Sequence, residues 1–302
     1  MSGQRIEASI AQVGAGVNVR RALPTRHRRL VGAWCFLDHF GPVDVQPGAL
    51  GMAVPPHPHC GLQTVTWIVE GELFHRDSIG SAQALRPGQL NLMTSGRGIA
   101  HAEDSPPDRA GTVHAVQFWI ALPESRRHGE PAFDHYPDLP RIKRGGASVT
   151  VLAGELLGAR SPAKVYSPLA GADIALEPGA ALDLPLAPAF EHGVVVLHGT
   201  VDVDGDALAP AALLYFAPGR DTLRLAAPAG GRAIVVGGEP FPESVLLWWN
   251  FVARTKSELV QACKDWNHGP GYFGAVKHPA ERLLAPLPPW AALESREGSA
   301  EP

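Results

Sequence analysis

Cysteine is scarce: the 302 residues hold three, Cys35, Cys60 and Cys263, an odd number at wide spacing. That excludes a disulfide framework and fits a reducing compartment, so a cytoplasmic location is expected. No stretch approaches the roughly 18 consecutive apolar residues of a membrane span, so no membrane association is expected. The opening "MSGQRIEASIAQVGAGV" has no apolar core of the secretory type. Neither sign of charge dominates: 26 Lys and Arg face 30 Asp and Glu, for a net charge of −4 and a pI of about 6.3. A broad electrostatic footprint for nucleic acid is therefore excluded, and no direct nucleic-acid partner is expected. Long helical periodicity is also missing before residue 240.

What remains is short apolar runs punctuated by 33 glycines and 29 prolines in a chain that is 45% hydrophobic. "VNVRRAL", "GAWCFLDHFGP", "LQTVTWIVEG", "GELFHRDSIG", "GQLNLMTS" and "VHAVQFWIAL" read as strands, each bounded by Gly, Pro or Ser. After a charged, proline-rich stretch the rhythm resumes with "SVTVLAGELLG", "GVVVLHGTVDVDG" and "RAIVVGGEP". "VVVLHGTVDVDG" echoes "VTWIVEGELFHRDSIG", a weak internal repeat. The expected fold is all-β, two tandem barrels: residues 1–135, a linker over 136–146, and 147–302. One short helix is expected late, in "TKSELVQACKDWNHG". Thr255 or Ser257 would cap it, Leu259, Val260, Cys263 and Trp266 would form its apolar face, and Gly269 would end it.

Two pairs of residues carry chemistry. Side chains two apart on a strand share a face, so His57 and His59 of "HPH" point together, as do His101 and Glu103 of "HAE". Either pair alone is more often incidental. Facing each other, they would gather three imidazoles and a carboxylate, a donor set suited to Fe, Ni, Cu or Zn. Pro55, Pro56 and Pro58 stiffen the first strand and lower the cost of preforming such a site. Cys60 should face away and pack. His39 and His75 read as satisfied or surface histidines, and Asp38, Asp77 and Arg97 as turn or hydrogen-bonding residues. Trp248, Trp249 and Trp266 read as packing.

The spacing of Gly51 before His57 and His59, with "PG" at 87–88 and "SGRGIAHAE" beyond, resembles the two glycine-rich motifs of the cupin fold. More narrowly, "FLDHFGP", "HPHCGLQTVTWIVEGELFHRDSIG", "LMTSGRGIAHAED" and "WWNFVARTKSELVQACKDW" resemble the pirin family over nearly the whole chain. The resemblance implies a bicupin of jelly-roll-like barrels. Its first barrel would carry a metal, usually Fe²⁺, with Ni, Co, Mn, Zn or Cu as alternatives, on His57, His59, His101 and Glu103. The second barrel has His192 in "LAPAFEHGVVVLHG" but no H-x-H, so no metal is expected there. Typical cupins keep a glutamate where Gln63 stands. If strand parity holds, Gln63 would be a neutral hydrogen-bonding neighbour of the metal. Glu103 alone would then leave a divalent site at +1, favouring anionic ligands. The activity implied is that of a quercetin 2,3-dioxygenase, an oxidoreductase opening flavonols, with Glu103 as general base. Two other readings compete: a metal- or redox-dependent regulatory protein with a protein partner and no turnover, and, less well supported by the motifs, a cupin sugar isomerase.

Overall fold

The computed structural model describes residues 3–14, 17–46, 51–106, 111–210 and 212–291. Two barrels stand side by side, each made of a seven-stranded and a four-stranded antiparallel sheet. In the first, the large sheet runs Ala132–Tyr136, Leu90–Thr94, Leu62–Glu70, Gly111–Ala121, Trp34–Val45, Val17–Leu23, Ser9–Val13. Its small sheet runs Ala53–His59, Ile99–Asp104, Leu73–Asp77, Ala82–Leu85. The second barrel repeats the plan. Gln4–Glu7, Ala212–Phe216, Glu191–Gly199, Gly231–Gly238, Leu169–Leu176, Ala147–Ala153 and Arg141–Arg144 form the large sheet. Ala180–Pro185, Thr222–Ala227, Val201–Val203 and Asp206–Leu208 form the small one.

The two large sheets pack face to face. Alternation along Leu62–Glu70 sends Val65 and Trp67 into this central core, where they meet Val195, Leu197, Leu213, Ile234 and Val236 of the second barrel. Polar atoms that cross the core are paired, as burial demands. Trp67 Nε1 donates to Asp173 Oδ2 at 2.6 Å, and Trp34 Nε1 donates to the carbonyls of Ala170 and Gly237.

The expected boundaries at 135 and 147 miss three features of the topology. The strand Gln4–Glu7 belongs to the second barrel, paired with Ala212–Phe216. The linker contributes to both large sheets: the strand ending at Tyr136 closes the first barrel, and Arg141–Arg144 opens the second. The C-terminal segment returns to the first barrel. There Phe251 bridges Cys60, and Val252 N donates to the Cys60 carbonyl at 3.1 Å. The helix Lys256–His268 follows, with Thr255 and Glu258 forming a reciprocal capping box and Gly269 at its end. It buries Leu259, Val260, Ala262, Cys263 and Trp266 against Phe251, Phe273 and Ala100. Cys60 and Cys263 both sit in this apolar layer, where burial pushes the thiols up to about 12 and about 11. Both pack as thiols, raised by burial above the range in which a thiolate forms readily.

Candidate metal centre

The site lies on the inner face of the first barrel's small sheet. The strand Ala53–His59 is an edge strand, which is where a sheet tolerates three prolines. His57 stands opposite His101 on Ile99–Asp104, while Glu103 stands opposite Val54, so the register slips by a bulge between them. The backbone thus sets three imidazoles together and displaces the carboxylate slightly. The rings of His57, His59 and His101 have centroids 4.4 to 5.0 Å apart. Their ligand nitrogens lie within 4.8 Å of one another, and all three side chains are buried. Glu103 falls in an overlapping group with His101 and His75, whose ligand atoms also lie within 4.8 Å of one another. All four expected ligands line one cavity.

Outer contacts aim the first two imidazoles. A carbonyl can only accept, so His57 Nδ1–H donates to Pro55 O at 2.8 Å and His59 Nδ1–H donates to Asn250 O at 3.0 Å. Both Nε2 atoms are then bare. His59 Nε2 lies 3.1 Å from His101 Nε2. Burial pushes the His57 imidazole down to about 4, against the opposing Pro55 bond, and holds His59 and His101 well below the usual range. Neutral, converging imidazole nitrogens with fixed tautomers are what a first-row divalent ion requires of its ligands. Burial raises the Glu103 carboxyl, against the field of His75 and a hydrogen bond from Thr66. The Thr66 hydroxyl lies 2.9 Å from both Glu103 Oε1 and Gln117 Oε1, and with one proton it donates to one of them at a time. The donor chemistry, three nitrogens and one carboxylate oxygen, fits a divalent metal.

The cavity above these groups measures about 500 Å³. One wall is aromatic, with Phe36 stacked on Trp119 at 3.8 Å between centroids and 11° between planes. Arg21 lies over the Phe36 ring and grips Asp38 through two hydrogen bonds of 2.8 and 2.7 Å. Leu247, Trp249, Asn250 and Leu283 reach in from the C-terminal segment.

Gln63 is not part of this site. Between His59 and the next strand the chain turns through Gly61 at φ 72°, where a Cβ would sit 2.0 Å from the Val252 carbonyl. The turn carries the chain from the small sheet to the large one and breaks the expected parity. Gln63 is fully buried on the far side, donating to Thr94 Oγ1 at 2.9 Å and to the Lys164 carbonyl at 3.0 Å. The side chain that faces the site from this strand is Thr66. Sequence reasoning missed it, along with Gln117 and the Asn250 carbonyl. His75 and Asp77 are hydrogen-bonded as expected, but against His101; their H-x-D spacing was the available signal. His39 lies elsewhere, its Nε2 2.7 Å from that of His114.

In the second barrel the strands that occupy the place of the ligand strands are Ala180–Pro185 and Thr222–Ala227. Leu182 opposes Leu225 and Leu184 opposes Leu223, all buried in an apolar interior. His192 lies on the following strand, buried with Nδ1 unpartnered.

Comparison with known proteins places the chain. Residues 16–120 match the Pirin family model, and residues 171–273 match the model of the Pirin C-terminal cupin domain. A Pseudomonas aeruginosa protein, provisionally named a quercetin 2,3-dioxygenase, is 49% identical over 95% of this chain and 91% of its own length. A pirin-like protein of Caulobacter vibrioides is 40% identical over 83% of this chain and 88% of its own. The crystal structure of a quercetin 2,3-dioxygenase from Acinetobacter baumannii is 44% identical, superposes with a TM-score of 0.92, and covers 95% of this chain and 96% of that one. No helix among the described residues is long and apolar enough to cross a membrane. The chain belongs to the pirin family, a tandem cupin whose first barrel carries a buried cluster of histidines and glutamate.

Proposed function

We propose that this chain is a metal-dependent dioxygenase acting on flavonols of the quercetin type. Its metal, Fe²⁺ before other first-row divalent ions, would be held by His57, His59, His101 and Glu103. The observation that carries the reading is the pair of imidazoles fixed by backbone carbonyls, with bare Nε2 atoms at the floor of a cavity of about 500 Å³. That volume lies within the range of small-molecule sites. A bound metal would supply Lewis acidity toward an enolic hydroxyl and a redox partner for oxygen. The remaining work falls to the protein. The stacked Phe36 and Trp119 offer a flat wall to a planar aromatic substrate. Thr66 fixes one oxygen of Glu103, and the carboxylate is the base that would take the hydroxyl proton. Relatives that bear the quercetin 2,3-dioxygenase name at 44% and 49% identity support the same substrate class.

A regulatory role makes a different demand, a surface that responds to the metal. The Asn250–His59 hydrogen bond favours it, because it ties a proposed ligand to the C-terminal hairpin. The deciding experiment is oxygen uptake by the iron-loaded protein against a flavonol panel, with His101→Ala as control. Turnover that disappears in the variant is expected. No uptake with any flavonol would sink the enzyme reading, and equal turnover by the variant would sink the site.

A further inference from the structure

We propose that His75 and Asp77 form a relay that fixes the tautomer of His101 and so turns its Nε2 lone pair toward the metal. The inference rests on the reading that His101 is a ligand. Residues 75 and 77 lie on the strand beside Ile99–Asp104, with Asp77 directly opposite His101 and His75 opposite Glu103. Asp77 is anchored first. Its Oδ1 accepts from the backbone N–H groups of Ile79 at 3.1 Å and Ser81 at 2.8 Å. Its Oδ2 is 3.1 Å from His75 Nε2. Burial would raise the Asp77 carboxyl, but these hydrogen bonds outweigh it and hold it below the usual range. A carboxylate only accepts, so His75 Nε2 carries the proton. In its neutral form the ring has no second N–H, and His75 Nδ1 is then bare. That atom lies 3.3 Å from His101 Nδ1. His59 Nε2 is also bare and lies 3.1 Å from His101 Nε2, so in the metal-free chain two acceptors compete for the one His101 proton. A cation on the Nε2 atoms removes that competitor, and His101 Nδ1–H then donates to His75 Nδ1. The His75 ring is held in plane by stacking on Phe133, with centroids 4.4 Å apart and 17° between planes.

The three imidazoles thereby reach the same state by different means. Backbone carbonyls fix His57 and His59, whereas a His–Asp dyad fixes His101. His75 and Asp77 act as positioning residues through His101.

The test uses the full chain stripped of metal and titrated with Ni²⁺ by calorimetry. Asp77→Asn keeps the Oδ1 acceptor for Ile79 and Ser81 but offers His75 an N–H₂ donor. That reverses the proton chain and protonates His101 Nε2. A loss of metal affinity of about tenfold to hundredfold is expected. His75→Phe should weaken binding by a similar factor, and Asp77→Asn added to it should cost nothing more. Nitrogen-15 spectra of the histidines in Zn²⁺-loaded wild-type protein should show His101 protonated at Nδ1, a readout that needs no variant to fold. Unchanged affinity in Asp77→Asn, or a His101 ring without that proton, overturns the relay. Loss of binding in His75→Phe as complete as in His101→Ala also overturns it, by making His75 a ligand. Wild-type binding by His101→Ala would instead overturn the metal site, whatever the Asp77 variant does.

Discussion

Replacing His192 with leucine should stabilise the protein, and increasingly so as the pH falls. His192 is 3% exposed in the second barrel, its Nδ1 is unpartnered, and burial holds its imidazole down at about 4 against an ordinary 6.5. The unfolded chain takes up this proton near pH 6.5 and the folded chain only near pH 4. Between those values the unfolded state holds more protons, so stability is present above pH 6.5 and is lost as the pH falls. For one such group the linkage costs about 2 kcal/mol at pH 5 and close to nothing at pH 7.5. Removing the unpartnered buried nitrogen should add roughly 1 kcal/mol of stability at either pH. Urea unfolding of metal-free wild type and His192→Leu at pH 7.5, 6.5 and 5 gives the difference directly, because contributions from the other buried histidines cancel between the two proteins. The gap should widen by about 2 kcal/mol over that range. A gap that stays constant with pH would refute the reasoning.

Other perturbations separate the parts of the first barrel. Thr66→Val removes the hydroxyl that bonds Glu103, so kcat with a flavonol should fall roughly tenfold to a hundredfold while metal content by elemental analysis stays at the wild-type level. Gln63→Glu would bury a carboxylate against the Lys164 carbonyl. It should lower the urea midpoint by the equivalent of about 1–3 kcal/mol and leave Ni²⁺ affinity unchanged, whereas a neighbour of the metal would change it. Thr255→Ala breaks the capping box and should cost about 1 kcal/mol in the same unfolding assay.

The composition and the strand rhythm by themselves indicated a tandem all-β chain, and the two i, i+2 pairs named the four side chains proposed as the metal centre. Local rules suffice for those features: turn residues delimit strands, and strand parity decides which neighbours share a face. The helix was legible for the same reason, since its cap, apolar face and terminator are all local. Only the tertiary structure decided what depends on where strands lie in the sheets. The Gly61 turn moved Gln63 to the opposite side of the large sheet and left Thr66 facing Glu103. Strand pairing at long range put Gln4–Glu7 into the second barrel and brought the Asn250 carbonyl, 191 residues away in sequence, to His59. It also set His75 and Asp77 beside His101. A sequence pattern names residues that could bind a metal. The hydrogen bonds that choose the tautomers of His57 and His59 come from backbone carbonyls the pattern does not contain.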